Sequence, residues 1–187
     1  MEPLSRAISD IDTAVGQPHP GRLPLELFLL VSRLVPLFTV DVWVEREDRA
    51  VLLTWREDEF FGRGWHVPGS ALRLGESTRD RLHECAREEL GAEIEAEALP
   101  FDLMEEIQPR IQEGADPRAR DRAHNVSAAY RCRLLTPPDP TRAYASDAGA
   151  PPRPGQWAWH MRCPDDLLAV HRCYEKHFPQ DPVRTDR

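Results

Sequence analysis

Three acidic residues carry the strongest chemical signal in this chain: Glu76 and, twelve residues on, the adjacent pair Glu88 and Glu89. Carboxylates gathered on a helix can supply the oxygen ligands that a hard divalent cation such as Mg2+ requires, or they can be the solvated side of an amphipathic helix. Residues 85, 88 and 89 share one helical face, because three and four residues separate them, and of these only Glu88 and Glu89 are acids. Asp41 interrupts an apolar run. An unpaired buried carboxylate is costly there, so Asp41 is either part of a pocket or a hydrogen-bonded structural residue. Arg56 ends the next apolar segment and is either a surface cation or a donor of charge-assisted bonds to phosphate.

The elements that must position these groups are legible around them. Ser77-Thr78-Arg79-Asp80 opens a helix with a hydroxyl and, three residues on, a carboxylate, the pair that satisfies free amides at a helix start. Leu82, Ala86 and Leu90 recur at four-residue spacing as its buried stripe, and Gly91 supplies the left-handed stop. Leu25 to Val35 is apolar nearly all round and predicts a short helix stopped by Pro36. Phe38 to Val44 predicts a strand, Glu47-Asp48-Arg49 a turn and Ala50 to Trp55 the returning strand of a hairpin. Further strands are expected over Phe101 to Ile107, Asn125 to Leu134 and Gln156 to Met161, with a final helix from Pro164 to about Phe178.

Residues 1–24 read as a loosely attached N-terminal arm, 25–179 as one domain and 180–187 as a C-terminal tail. Within the domain, 136–155 is a surface loop in which five prolines precede Pro154. No internal repeat is present.

The chain has 187 residues, enough for one domain with a real core. Its net charge of -8, from 24 basic and 32 acidic residues, argues against a nucleic-acid backbone as partner, since such binding draws on Lys and Arg. A small anion would need local help from a metal ion or single arginines. The apolar stretch Leu23 to Val44 is broken by Glu26, Arg33, Pro36 and Asp41, so no run reaches the roughly 20 residues that span a bilayer, and no membrane partner is expected. The four cysteines, Cys85, Cys132, Cys163 and Cys173, form no Cys-x-x-Cys pair, and no secretory signal precedes them. A reducing cytoplasm is the expected location.

The segment Trp65-His66-Val67-Pro68-Gly69-Ser70 through Glu76 to Arg87-Glu88-Glu89-Leu90-Gly91 resembles the Nudix box, over residues 69–91. The resemblance implies an α/β Nudix fold, with a mixed β-sheet sandwiched between α-helices. It further implies a Mg2+ (or Mn2+) ion held by the Gly69 carbonyl, Glu89 and Glu88. Three box positions depart from the family: Cys85 stands where its first helical Glu is found, Glu84 where its Arg is found, and Ser70 in place of the second loop glycine. Over roughly Leu25 to His177 the chain is similar to the GDP-mannose mannosyl hydrolase branch, which also lacks that first Glu. The features shared with it are Val35-Pro36-Leu37 with Asp41, Leu52-Leu53-Thr54-Trp55-Arg56, and Trp65-His66-Val67-Pro68-Gly69.

By that resemblance Asp41 and Arg56 bind the nucleotide and its phosphates, and Glu88, Glu89 and His124 serve catalysis. His124-Asn125 stands for a His-Tyr pair of the branch, whose arginine after the double glycine is Ala71 here. The branch's general base maps near Arg153 and Pro154, where no base stands. Glu105-Glu106 is either an additional carboxylate site of the family or the exposed face of a strand. His66, His83 and His160 carry no further signal, and Trp65, Trp157 and Trp159 suit core or rim packing. The expected activity is Mg2+-dependent hydrolysis of a nucleoside diphosphate derivative, a nucleoside diphosphate sugar in particular. The alternative is a nucleotide-binding or sensor module that has lost turnover. The expected partners are a small nucleotide or nucleotide sugar and, in a homodimer, a second copy of the chain.

Overall fold

The computed structural model describes residues 3–15, 23–58, 61–107, 124–145 and 149–179. The tail expected over 180–187 lies outside the described residues. The N-terminal arm contains a helix, α1 (Pro3–Val15), and a second helix, α2 (Leu25–Leu34), ends one residue before the extended Val35 and two before Pro36. Among the described residues eight strands follow in two sheets.

The first sheet is built on β1 (Leu37–Val44), which pairs antiparallel with β4 (Gly69–Ala71) and parallel with β7 (His124–Leu134). Along the other edge of β7 run β5 (Ile94–Ala96) and β6 (Asp102–Ile107), both antiparallel to it. The second sheet is antiparallel throughout, in the order β3 (Gly62–His66), β2 (Val51–Asp58), β8 (Trp157–His160).

Both faces of β1 are covered, which is why its sequence is apolar almost without alternation. Val40, Val42 and Val44 meet Leu82, Cys85, Ala86 and Leu90 of the box helix α3 (Thr78–Leu90). Trp43, on the other face, packs on Tyr174 and Phe178 together with Leu53 and Trp65. Asp41 shares that second face, on the side of the C-terminal segment.

The capping of α3 is as its sequence predicts. Ser77 accepts from the Asp80 amide, the Asp80 carboxylate accepts from the Ser77 amide, and Gly91 adopts φ 63°. The Gly91 amide closes on the Arg87 carbonyl. Leu82, Ala86 and Leu90 are buried as the stripe requires.

Two expectations are corrected. Leu37–Val44 and Val51–Asp58 do not form a hairpin with each other, for after the isolated bridge Glu45↔Val51 they diverge into different sheets. The turn itself forms, with the Arg46 amide on the Ala50 carbonyl at 2.9 Å. Each strand instead finds two other neighbours, which satisfies its backbone on both edges in a way that a lone hairpin cannot.

The expected C-terminal helix is the second correction. Residues before Ala169 run beside β3, with the Trp65 amide on the Asp166 carbonyl (3.0 Å) and the Leu168 amide on the Trp65 carbonyl (2.9 Å). After a single turn closed by the Leu167 amide on the Pro164 carbonyl, Ala169–His177 winds as a 3-10 helix, not an α-helix. Gly64 permits the approach, because a Cβ there would collide with the Asp166 carbonyl oxygen.

Candidate metal and phosphate site

Where β4 meets the second sheet, a cleft of about 950 Å³ opens, with Asp41, Arg56, His66, Gly69, Arg73 and His171 on its wall. A larger and shallower depression of about 1480 Å³ over β5, β7 and Trp159 contains none of the candidate site residues.

Glu89 leaves the last turn of α3 and reaches β2 and β3. Thr54 Oγ1 donates to its Oε2 at 2.8 Å, His66 Nε2 stands 3.1 Å from the same oxygen, and Arg56 Nη2 donates to Oε1 at 3.5 Å. Strand geometry explains the convergence. Thr54 and Arg56 are two residues apart on β2 and so share a face, and Thr54 pairs with His66 in the β2–β3 register. Burial works to raise the Glu89 carboxyl, but the His66 charge and hydrogen bond, the Arg56 charge and the Thr54 hydroxyl outweigh it and hold the group down at about 2. Glu89 is therefore a carboxylate at any physiological pH.

Asp41 and Gly69 face each other across β1 and β4. The Val42 amide bonds the Pro68 carbonyl at 2.8 Å and the Leu72 amide the Phe38 carbonyl at 2.9 Å, which makes Asp41–Gly69 a non-hydrogen-bonded pair of this ladder. The Gly69 carbonyl thus points away from β1, at the edge of the sheet that β4 closes. The side-chain space opposite is already filled, since a Cβ on Gly69 would collide with Asp41 Oδ1. Asp41 is itself buried and accepts a hydrogen bond from the Tyr174 hydroxyl. Burial raises its pKa to about 6, against the lowering effects of Tyr174, Ser127 and the Arg56 charge.

The second acid of the pair goes elsewhere. Glu88 Oε1 accepts from Arg73 Nη2 at 3.3 Å, and Glu88 Oε2 lies 3.3 Å from Arg81 Nη2. Arg81 is fully buried, and its Nη1 lies 3.5 Å from Glu76 Oε1. The network ties the loop before the helix to the body of the helix. Cys85, between these groups, is completely buried in the core cluster. Burial, with the Glu89 and Asp41 charges nearby, pushes its thiol well above the usual range.

His124 is not brought to this site. It begins β7, five residues from the Ala129 that pairs with Asp41, or about 17 Å at roughly 3.4 Å per residue. Asn125 and Ser127 reach the cleft wall, so by alternation His124 belongs to the opposite face, where its Nε2 meets Glu105 Oε1 at 3.0 Å. The side chain of Glu106 is outside the described residues. Arg153 is exposed on the proline-rich loop.

Sequence reasoning missed His66, Thr54, His171 and Tyr174. The first two were reachable, since alternation along β2 puts Thr54 on the face of Arg56. His171 and Tyr174 carried no local signal, because their place depends on a long-range docking of the C-terminal segment.

Among the described residues no three His, Cys, Asp or Glu side chains form a group able to hold a metal ion unaided. Mg2+ keeps several waters and shares substrate phosphate oxygens with one or two carboxylates, so the oxygen donors present, Glu89 and the outward Gly69 carbonyl, fit that mode of binding.

No family model matches the chain. Over 77 residues it is 36% identical to the low-salt glycan biosynthesis protein Agl8 of Haloferax volcanii, a match covering 41% of this chain and 49% of that protein. The chain thus spans about half the length of this relative. Among solved structures it is similar to a MutT Nudix hydrolase from Burkholderia pseudomallei, with a TM-score of 0.55 and 19% identity over 76% of this chain and 97% of that one. It is also similar to a UDP-X diphosphatase, with a TM-score of 0.52 and 14% identity over 92% and 74% of the two chains. The chain has the fold of the Nudix hydrolases, a mixed α/β arrangement with the box helix packed on β1. No helix among the described residues is long and apolar enough to cross a membrane.

Proposed function

We propose that this chain is a divalent-cation-dependent hydrolase of a nucleoside diphosphate derivative, a nucleoside diphosphate sugar in particular. The observation that carries the reading is that Gly69, with its outward carbonyl, and the Arg56 guanidinium line one cleft, and that the ionised Glu89 carboxylate is bonded directly to Arg56 and His66 of the same wall. The likeness to a glycan biosynthesis protein and to a diphosphatase supports the substrate class.

Glu89 and the Gly69 carbonyl would hold the cation, which when bound neutralises diphosphate charge and polarises its oxygens. Arg56 places a second positive charge on the same wall, where it can pair with a phosphate oxygen. Thr54 and His66 fix the Glu89 carboxylate in one orientation, as partners behind a ligand commonly do. Asp41, raised to about 6 by burial, lines the same cleft, and we assign it the proton-accepting role at its carboxylate.

A second reading, a nucleotide-binding module without turnover, is favoured by the loss of acids from the cleft. Cys85 is apolar core, and Glu88 is engaged with Arg73 and Arg81. Incubation of the protein with nucleoside diphosphate sugars and dinucleotides, in Mg2+ or Mn2+, separates the two. Phosphorus NMR of the products would report a nucleoside diphosphate plus sugar, or a monophosphate plus sugar phosphate. Saturable binding with no product from any substrate would leave the module as the correct reading.

A further inference from the structure

His171 comes from the C-terminal 3-10 helix, yet it is part of the cleft wall beside Arg56, His66 and Gly69. Its position is fixed from three sides. The Val67 amide donates to its Nδ1 at 3.1 Å, its ring meets the His66 ring edge-on with centroids 5.7 Å apart, and Tyr174 lies against it at 5.6 Å. A backbone amide can only donate, so Nδ1 must be the acceptor nitrogen and the ring proton must be on Nε2. Nε2 makes no hydrogen bond among the described residues and is the remaining polar atom that this ring brings to the wall.

We propose that the His171 Nε2–H and the Arg56 guanidinium form an oxyanion subsite, in which a neutral imidazole and a cation take oxygens of one diphosphate group. The proposal rests on the reading of the cleft as a diphosphate site and adds to it a donor from outside the box.

The surroundings keep the imidazole in the required form. Burial, followed by the His66 and Arg56 charges, holds the His171 pKa well below the usual imidazole value, and only the Glu89 charge opposes this. The Asp41 carboxyl, hydrogen-bonded by Tyr174, completes the ionisable groups packed nearby. A neutral donor of this kind supplies a hydrogen bond to the ligand without adding a fixed cation to a wall that already carries Arg56. Phosphate oxygens are strong acceptors, so each such bond is charge-assisted.

The test uses protein labelled with 15N at histidine and inorganic pyrophosphate as the probe. Long-range proton–nitrogen spectra of the parent should show His171 as the neutral Nε2–H tautomer from pH 5.5 to pH 8, and pyrophosphate should shift that nitrogen. By calorimetry His171→Leu should bind pyrophosphate about tenfold more weakly, the worth of one hydrogen bond to a charged oxygen. His171→Gln, which can present an amide N–H in place of Nε2–H, should recover most of the loss. Thermal melts of each variant confirm that it is folded, and the tautomer measurement on the parent needs no variant. A proton on Nδ1, no pyrophosphate binding by the parent, or equal affinity in a folded His171→Leu would each overturn the subsite. Failure to hydrolyse any substrate, with pyrophosphate binding as expected, would remove the hydrolase reading and leave the subsite standing.

Discussion

The Tyr174 hydroxyl donates a hydrogen bond to the Asp41 carboxylate across 133 positions of sequence, and both side chains are buried. This bond joins the C-terminal segment to the strand that faces Gly69, so the cleft wall is completed only when the chain end has docked. The same contact places a carboxyl in a dry setting, where its charged form is disfavoured.

A pH dependence of stability follows. The Asp41 pKa lies at about 6 in the folded chain against 3.8 ordinarily. The folded state therefore holds this proton more tightly than the unfolded chain. The stabilisation from protonated Asp41 is present in full below pH 3.8 and is lost as pH rises through about 6, amounting to roughly 3 kcal/mol. Asp41→Asn should abolish this decline and make the protein more stable than the parent at pH 7.5. Urea unfolding of the metal-free proteins at pH 4.5 and pH 7.5 measures the difference. Parallel pH dependence in the two proteins would mean that Asp41 titrates normally.

Gly69→Ala should destabilise the chain by about 1 to 3 kcal/mol, the usual cost of overpacking, because the new methyl meets Asp41 Oδ1. In Asp41→Gly the methyl has room, so Gly69→Ala should cost much less in that background. A double-mutant cycle read by chemical unfolding gives the coupling. Additive effects would show that β4 yields without regard to Asp41.

The box helix was the most legible part of the fold, since Ser77, Asp80 and Gly91 act through bonds within a few residues of themselves. Most of the later strands were legible from composition for a similar reason. Pairing was not. Phe38 to Val44 and Ala50 to Trp55 look like a hairpin because a turn joins them, but which neighbour satisfies each edge depends on β4 and β7 for the first and on β3 and the distant β8 for the second. The candidate site divides in the same way. Gly69, Asp41 and Arg56, each marked by the sequence, line one cleft, and Glu89 is bonded to Arg56 and His66 of its wall, whereas His171 and Tyr174 enter through a packing contact that no local pattern encodes.

Glu88 and Glu89 should respond oppositely to a divalent cation. A ligand that binds only the native state raises Tm by mass action, and Glu89→Gln should abolish the rise produced by Mg2+ or Mn2+. Glu88→Gln should keep that rise while lowering the metal-free stability by about 1 to 3 kcal/mol, since it weakens the ion pair to the fully buried Arg81. Thermal melts with and without cation give both numbers for each variant. An undiminished shift in Glu89→Gln would remove Glu89 from the metal site, and a lost shift in Glu88→Gln would bring Glu88 into it.

Cys85 stands where the Nudix pattern has a glutamate. The residue is completely buried against Val40, Leu82 and neighbouring core side chains, with the Glu89 and Asp41 charges close enough to act on its thiol. Cys85→Glu therefore puts a carboxylate into a dry site that already repels negative charge, and the cost should be several kcal/mol without metal. A divalent cation reverses the sign of that local field. If α3 presents position 85 to the same ion as Glu89, Mn2+ should restore a large share of the lost stability, and the Tm rise should exceed that of the parent. Cys85→Gln is the matched control, since it adds similar bulk without charge and should show no such extra response. Circular dichroism first establishes that both variants are folded, and melts across a Mn2+ titration then read the difference. Equal cation responses in Cys85→Glu and Cys85→Gln would mean that position 85 faces only the core, and that any metal held by this chain is served from Glu89 and Gly69 alone.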